Sequence, residues 1–270
     1  MNLLVIGQGA WASKIESVLN NSASGIQATS ISARNALKDP PRLDEAVENS
    51  DVIWICTKPD WQLELLPRLN KFDGKLILEK PYIIDKKSLN SFTEFERIFK
   101  GALQLSEPWT FSNIWHEAKK EIKESSSAEF MIKRGGSTGH NYISAVMDWL
   151  PHDINLLFDL YGHELLKSTV SDIHWKENRS ELEFKISMEA EKSFLVKVGK
   201  FLGNREAFWE SKDLTVNFLT STLTRGSSEV PVIQEINPLI LQVNSMVENS
   251  SSKTRDQLEV QNYFFDKLLK

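Results

Sequence analysis

Lys80 directly follows the apolar run Leu76–Leu78 and the acid Glu79, and a proline comes next. A short apolar run of this kind predicts a buried strand, and residues at its carboxyl end lie where open α/β sheets bind ligands. Most lysines instead keep their ammonium group on the protein surface, in water. The position after a buried strand therefore predicts that Lys80 is a site residue.

Asp148 and His152 are the next candidates for a functional site, because they lie four positions apart along the chain. Side chains at this spacing share a helix face or its first turn, and Pro151 predicts the helix start. A carboxylate can fix the tautomer of an imidazole, and a histidine, with an ordinary pKa of about 6.5, exchanges protons at cytoplasmic pH. The pair predicts acid/base chemistry. The alternatives are a local pair that caps the helix and a metal site with His140.

The first residues contain a glycine pattern, Gly7-x-Gly9-x-x-Ala12, which follows an apolar run and opens a helical stretch. In a dinucleotide fingerprint the first glycine permits a tight turn and the second lets the backbone approach a pyrophosphate. A small third residue lets the helix pack on its strand. The alternative is a glycine turn without a ligand. The predicted cofactor contacts in this turn are Gly7, Gln8, Gly9, Ala10, Trp11 and Ala12.

The acid that usually binds the ribose of NAD is missing, since no Asp or Glu occurs between Glu16 and Asp39. Ser32 and Arg34 stand in the corresponding region. A hydroxyl and a guanidinium can bind the 2′-phosphate of NADP, which a carboxylate would repel. The sequence therefore predicts NADP, with NAD possible, and the alternative for Arg34 is an ordinary surface arginine.

Strand and helix patterns alternate through residues 1–105. Short apolar runs at residues 3–6, 52–56 and 76–78 predict strands, residues 26–32 can form a further strand, and apolar residues at helical spacing lie between these segments. This alternation requires crossover connections, which predict a doubly wound parallel sheet with helices on both faces. The first domain is therefore predicted to be a Rossmann dinucleotide-binding domain of residues 1–105.

From residue 106 onward the pattern changes. Helical stretches at 113–124 and 147–161 are followed by short segments in which apolar and polar residues alternate, as in Leu182, Phe184 and Ile186. Alternation with period two is typical of half-buried strands in antiparallel sheets. The sequence predicts an α+β substrate and oligomerisation domain over residues 106–270, with an open, mostly antiparallel sheet.

The composition of the chain limits which classes of binding partner and which cellular compartment are expected. The formal net charge is −5, and 41% of the residues are hydrophobic, so nothing favours nucleic acid over a small-molecule substrate. Cys56 is the one cysteine, which excludes an internal disulfide and favours the cytoplasm. The amino-terminal apolar run is too short for a signal peptide, and no stretch is long enough to span a membrane.

In their order along the chain, these motifs resemble the Gfo/Idh/MocA family, that of glucose-fructose oxidoreductase and inositol dehydrogenase. The glycine pattern comes first, Asp51–Asp60 resembles the family's "DVVIIATPPD" strand and turn, Glu79-Lys80-Pro81 matches its EKP signature, and Asp148 and His152 match its DxxxH pair. The resemblance implies a Rossmann domain, a second α+β domain and an active site between them. In this chain Lys80 would bind the reacting oxygen, His152 would exchange its proton, and Asp148 would orient the imidazole. A hydride would pass between the substrate and the nicotinamide.

The resemblance also implies further contacts and partners. Thr57, Lys58, Pro59 and Glu79 would join the cofactor site. Separately from the resemblance, Trp109, Tyr142 and Trp149 are predicted to join the substrate site, next to Lys80 and His152. The tryptophans would stack on a ring, although core packing is their more common role. No metal is implied, and a homo-oligomer through the second sheet is expected.

The chain departs from the family pattern near these residues, so a short, divergent member with an unusual substrate is expected. Gln62 replaces a frequent histidine, and Leu150 replaces the glycine usual inside the DxGxH motif. The predicted activity is an NADP-preferring oxidoreductase acting on a sugar, nucleotide sugar or similar polar metabolite. The alternatives are a non-catalytic protein that binds a dinucleotide or sugar, and an imine reductase.

Overall fold

A computed structural model describes residues 1–22, 25–136, 143–189, 192–200, 205–248 and 253–269. The chain forms two compact units. The first comprises Met1–Pro108 and Ile236–Arg255, and the second comprises Trp109–Glu235 and Asp256–Lys270. Among the described residues, no helix combines the length and the apolar character that crossing a membrane requires.

The first unit is built on a five-stranded sheet in which every pairing is parallel. Its strands are β1 (Asn2–Ile6), β2 (Gln27–Ile31), β3 (Val52–Ile55), β4 (Lys75–Leu78) and β5 (Ala102–Leu105). The helices are α1 (Ala10–Asn20), α2 (Ala33–Lys38), α3 (Pro40–Glu48), α4 (Pro59–Leu65) and α5 (Lys86–Ile98), with a short helical turn at Leu66–Leu69. The strand order β2-β1-β3-β4-β5 reverses between β1 and β3, which confirms the predicted doubly wound sheet.

Continuous apolar runs explain why these strands lie in the middle of the unit. All four residues of β3 are 0% exposed, as expected for a strand that is covered on both faces. The helix α8 (Pro238–Glu248) adds Leu239 and Val243 to the same core, against Leu3 and Ile15. The sequence-based division into 1–105 and 106–270 therefore differs from the structure in the segment Ile236–Arg255, which packs on the first unit.

The second unit is built on an eight-stranded sheet with the order β13-β12-β11-β10-β6-β9-β8-β7. Its strands are β6 (Glu129–Gly135), β7 (Thr169–Trp175), β8 (Glu181–Ser187), β9 (Ser193–Gly199), β10 (Glu206–Glu210), β11 (Leu214–Asn217), β12 (Thr222–Arg225) and β13 (Ser228–Pro231). The helices are α6 (Asn113–Glu124), α7 (Ala145–Tyr161) and α9 (Lys253–Leu268), with short turns at Pro108–Phe111, Gly162–Lys167 and Glu177–Arg179. β6 pairs in parallel with β9, and the other pairings are antiparallel, as the predicted mostly antiparallel sheet requires.

Alternation along the strands separates the two faces of this sheet. In β8 the side chains of Leu182, Phe184 and Ile186 are buried, whereas the intervening side chains are half-buried. The helix α7 packs on β6 and β9 and is buried over nearly its whole length. The sheet and α7 thus hold the residues of the predicted acid/base pair in a packed interior.

Candidate functional site

The tight turn after β1 requires a glycine at position 7. A Cβ atom built on Gly7 would lie 2.0 Å from the carbonyl oxygen of Cys56, at the end of β3. The N–H of Gly7 donates to the carbonyl of Ile31, at the end of β2, over 2.8 Å. The carboxyl ends of three neighbouring strands therefore meet closely at this turn, which is the switch point of the sheet.

Gly9 is a glycine for a different reason. It is the N-cap residue of α1 with φ −80° and ψ 173°, a conformation open to any residue. Among the described residues other than its two chain neighbours, none has an atom within 4 Å of a Cβ built on Gly9. The first turn of α1 carries no acidic side chain and no side-chain cap. The N-terminus of α1 is thus open, which suits the pyrophosphate of a dinucleotide.

The other positions of the turn differ in exposure. Gln8 and Ala10 are exposed and Trp11 is half-buried, whereas Ala12 is 1% exposed and lies in the core against Leu3 and Ile15. A small third residue therefore does bring α1 close to its strand.

The end of β2 carries the two residues predicted to choose between NADP and NAD. β2 ends at Ile31, so Ser32 stands directly after it. The hydroxyl oxygen of Ser32 accepts from the N–H of Asn35 over 3.1 Å and caps α2. Arg34 is exposed in the first turn of α2. Both side chains thus follow the strand end at which the ribose of a dinucleotide lies in this class of fold.

Gln62 joins the ends of β3 and β4. Its side chain is 0% exposed, and its Nε2 donates to the carbonyl of Thr57 over 2.8 Å and to that of Glu79 over 3.0 Å. Lys58 occupies the N-cap position of α4 without a capping hydrogen bond from its side chain, and Pro59 begins that helix. Gln62 thus holds together the two loops that carry Thr57 and Lys80.

The carboxyl group of Glu79 points into the first unit. Its Oε1 accepts from Nε1 of Trp54 over 3.0 Å and from Oγ of Ser106 over 2.5 Å, and the residue is 5% exposed. Burial raises the pKa of Glu79 above its ordinary value, although the hydrogen bond from Ser106 and the charge of Lys80 act in the opposite direction. The Glu79 side chain therefore links buried polar groups inside the first unit.

This raised pKa predicts how Glu79→Gln changes stability. An acid with a raised pKa stabilises the fold at pH values below its ordinary pKa of 4.5, and this contribution is lost as the pH rises through the raised value. Glutamine imitates the neutral acid at every pH. We therefore expect Glu79→Gln to gain stability relative to the wild type as the pH rises, in urea unfolding at several pH values. Glu64→Gln, at an exposed site, is the control, and a pH-independent difference would contradict the prediction.

Lys80 follows Glu79 directly, is half-buried and is joined to Pro81 by a cis peptide bond. The charge of Lys80 acts on the carboxyl of Glu79 and on the thiol of Cys56. Burial, more than any other cause, raises the pKa of Cys56 far above its ordinary value, and the charge of Lys80 opposes that effect. Lys80 therefore lies at the ends of β3 and β4, where the sequence predicted it.

The helix α7 carries the predicted acid/base pair. It begins at Ala145 with Ser144 as its cap, whose hydroxyl accepts from the N–H of Met147 over 3.2 Å. Pro151 lies inside the helix, so the prediction that the helix starts there is wrong, because the Ser144 cap nucleates it two turns earlier. Asp148 and His152 consequently share one helix face, at 5% and 6% exposure.

Trp149 lies beside His152, and Asp153, the next residue along α7, pairs with Arg134; neither Asp153 nor Arg134 was predicted from the sequence as a site residue. The ring of Trp149 lies 6.3 Å from the imidazole, centroid to centroid. Asp153 accepts from Nε of Arg134 over 2.8 Å, and both side chains are 1% exposed. Arg134 occupies an inward position of β6, in line with Phe130 and Ile132. A charge in an apolar alternation is the sequence signal that would have revealed this pair.

For three of the residues named in the sequence analysis, the structure gives no contact, among the residues that it describes, with the other predicted site residues. Trp109 is half-buried, with its ring 5.6 Å from that of Phe218 in an edge-to-face contact. Tyr142, and His140 of the metal alternative, lie outside the described residues. Within the described part of the chain, no group of three or more His, Cys, Asp or Glu side chains could hold a metal ion.

No protein-family model and no curated protein matches this sequence. Solved structures match it over nearly its whole length. UDP-N-acetylglucosamine 3-dehydrogenase GnnA from Acidithiobacillus ferrooxidans has a TM-score of 0.73 at 13% identity, covering 98% of this chain and 95% of its own. Aldose-aldose oxidoreductase from Caulobacter crescentus has a TM-score of 0.73 at 11% identity, covering 98% and 96%. Biliverdin reductase from Synechocystis, solved with biliverdin and NADP+, has a TM-score of 0.64 at 11% identity, covering 97% and 96%.

These likenesses concern the fold. The chain has the fold of these three proteins over nearly its whole length, which agrees with the fold that the resemblance of its motifs implied. Because this chain covers at least 95% of each of the three neighbours, little of them is absent from it. Identities of 11–13% leave the activity to be argued from the residues of this chain.

Proposed function

We propose that this protein is an NAD(P)-dependent oxidoreductase, preferring NADP, that acts on a hydroxyl or carbonyl carbon of a sugar, nucleotide sugar or similar polar metabolite. The observation that carries the proposal is the open N-terminus of α1 at Gly9, next to the strand ends that bear Thr57 and Lys80. The names of two structural neighbours, which act on UDP-N-acetylglucosamine and on aldoses, also favour a sugar-like substrate.

Three side chains have separate catalytic roles in this proposal. Lys80 binds the reacting oxygen, and its ammonium stabilises the negative charge that develops there. His152 exchanges the proton of that oxygen, and Asp148 orients the imidazole from one helical turn away. A bound nicotinamide supplies the hydride chemistry. Trp109 and Trp149 are proposed to stack on a ring of the substrate, and Tyr142 stays a prediction.

The activity can be tested directly. The purified protein is mixed with NADPH or NADP+ and a panel of sugars, nucleotide sugars, small ketones and imines, and the near-ultraviolet absorbance of the reduced nicotinamide is followed. Turnover of a hydroxyl or carbonyl compound is expected. Binding of NADPH without turnover of any compound would favour a non-catalytic dinucleotide-binding protein, and turnover confined to imines would favour an imine reductase.

A change at Gly9 should separate cofactor binding from folding. In Gly9→Asp the carboxylate would cap α1, so we expect stability to stay equal or rise by a few tenths of a kcal/mol. The same charge would repel the pyrophosphate, so the dissociation constant of NADP should rise by about 10²-fold or more. Thermal unfolding and calorimetric titration with NADP measure the two effects.

Gly7→Ala is the matched comparison. Its methyl group would collide with the Cys56 carbonyl, so a loss of stability of about 1–3 kcal/mol or more is expected. If Gly9→Asp binds NADP as tightly as the wild type does, the proposed cofactor site is wrong.

Arg34 is proposed to select NADP. Removing its guanidinium in Arg34→Ala removes a charge-assisted contact to the 2′-phosphate, so we expect NADPH to bind about 10-fold or more weaker. The affinity for NADH should change little, because NADH lacks that phosphate. Titrations of both cofactors measure the ratio of the dissociation constants for NADH and NADPH. The control is Arg42→Ala, at an exposed position of α3. An unchanged ratio in Arg34→Ala would remove the argument for NADP.

We propose that the protein forms a homo-oligomer through the face of the eight-stranded sheet that carries Met131, Leu195 and Phe208. These side chains are half-buried, and ion pairs such as Lys133–Glu206, 2.6 Å, lie beside them. An open sheet face of this kind is suited to pairing with a second copy. Light scattering of the purified protein measures the mass, and a monomer at micromolar concentration would contradict the proposal.

A further inference from the structure

Arg134 is a charged side chain enclosed by the second unit. It is 1% exposed on the inner face of β6. Its guanidinium carbon lies 5.6 Å from the ring centroid of Trp109 and 5.1 Å from that of Phe218. The Nε atom donates to Asp153, whose second oxygen accepts from Nε1 of Trp209 over 2.9 Å. Both oxygens of Asp153 are therefore engaged by donors of the protein.

The two terminal nitrogens of the Arg134 guanidinium have no hydrogen-bond acceptor among the described residues. Neither Nη1 nor Nη2 has a hydrogen-bond partner among the described residues, and both are shielded from solvent. Buried donors without an acceptor are uncommon in native proteins and indicate a water, an ion or a ligand. Arginine presents these donors as a planar fork that fits the two oxygens of a carboxylate or phosphate.

Arg205 supplies a second guanidinium at the same end of the sheet. It directly precedes β10, whose first residue is paired with Gly135 of β6. A Cβ built on Gly136 would lie 3.1 Å from Cα of Arg205. The guanidinium carbon of Arg205 lies 4.8 Å from the ring centroid of Trp149. Arg205 itself is exposed, so it can meet a ligand.

Two cations and two acids act on one another at this end of the sheet. Partial burial and the charge of Arg134 lower the pKa of Arg205, whereas the charge of Asp148 raises it. Asp153 is already engaged by Arg134 and Trp209. Two guanidiniums held close to each other repel, and an anion between them would relieve that repulsion.

We propose that Arg134 and Arg205 bind an oxyanion of the substrate, a carboxylate or a phosphate group. The inference rests on the proposed function, and it narrows the substrate to an acidic sugar, a sugar phosphate or a related anionic metabolite. Trp149 connects the two sites, since it contacts both Arg205 and the imidazole of His152. Arg205 meets the anion first. Access to Arg134 requires one of its flanking rings to shift, and Trp109 is less buried than Phe218.

Calorimetric titration tests the site without requiring turnover. The protein, saturated with NADP, is titrated with glucuronate, glucose 6-phosphate and glucose, which share a ring and differ in their anionic group. At least one of the two anions is expected to bind about 10-fold or more tighter than glucose. Arg205→Gln, which keeps a polar side chain without the charge, should abolish that difference. The control is Arg179→Gln, because the guanidinium of Arg179 lies 5.6 Å over Trp175, also on the second unit.

The outcomes separate this inference from the proposed function. A preference for glucuronate alone assigns a carboxylate, and one for glucose 6-phosphate alone assigns a phosphate. Equal affinities for all three compounds, no binding of either anion, or an unchanged preference in Arg205→Gln would overturn the oxyanion site. If the anion preference is present but no compound is turned over in the absorbance assay, the oxyanion site stands and the proposed oxidoreductase activity fails.

Discussion

Replacing Lys80 with methionine is expected to lower kcat/KM by about 10²- to 10³-fold on whichever substrate the protein turns over. Methionine keeps much of the length of the side chain and removes the ammonium. If that ammonium stabilises charge on the reacting oxygen, its loss raises the barrier to the hydride step by about 3–4 kcal/mol. NADP should still bind, because the N-terminus of α1 at Gly9 is unchanged. Steady-state kinetics and a cofactor titration measure the two effects.

Lys75→Met is the matched control, because Lys75 begins the same strand, β4, that delivers Lys80 at its other end. Opposite ends of a parallel strand lie at opposite edges of the sheet, so Lys75 is remote from the carboxyl ends where the chemistry is proposed. Its substitution should leave kcat/KM within about 2-fold. Wild-type turnover in Lys80→Met would exclude the proposed role of this lysine, whatever its effect on stability.

The parallel sheet was predictable because its signal is local. Each of its inner strands is a continuous apolar run, and residues that directly follow such a run must lie at the carboxyl edge of the sheet. Lys80 was identified by that rule, Gly7 by the glycine pattern that follows the first strand, and Thr57 by the family resemblance. The outer strands of the second sheet were harder to predict. Thr169–Trp175 and Ser228–Pro231 are largely exposed edge strands, so no apolar alternation marks them.

The remaining site residues depend on contacts between distant parts of the chain. Gln62 bonds to a carbonyl 17 residues away, and Arg134 pairs with a carboxylate 19 residues away. The helix α8 joins the first unit partly through Gln242, whose side chain accepts from the N–H of Glu107, 135 residues earlier. No local periodicity encodes such pairings. The start of α7 was predicted too late for a simpler reason. Proline is common in the first turn of helices, so Pro151 was taken as the start, whereas the helix is already capped by Ser144.

Breaking the buried pair of Arg134 and Asp153 is expected to lower the stability of the protein strongly. In Asp153→Ala the guanidinium of Arg134 would stay enclosed without its counter-charge, and Nε1 of Trp209 would lose its acceptor. Removing one partner of a buried ion pair costs about 3–5 kcal/mol, because the remaining charge is uncompensated. Urea unfolding monitored by tryptophan fluorescence measures the loss in the free energy of unfolding.

Asp159 offers a matched control on the same helix. It too accepts from an indole, Nε1 of Trp115 at 2.8 Å, and from a cation, Nζ of Lys119 at 2.7 Å. Its ion pair differs in exposure, with side chains at 29% and 27% against 1% for both members of the Arg134 pair. Water can solvate Lys119 when the carboxylate is removed, so only the indole of the buried Trp115 loses its acceptor, and Asp159→Ala should cost less, about 1–2 kcal/mol. Equal losses in the two variants would mean that burial does not govern the strength of these pairs.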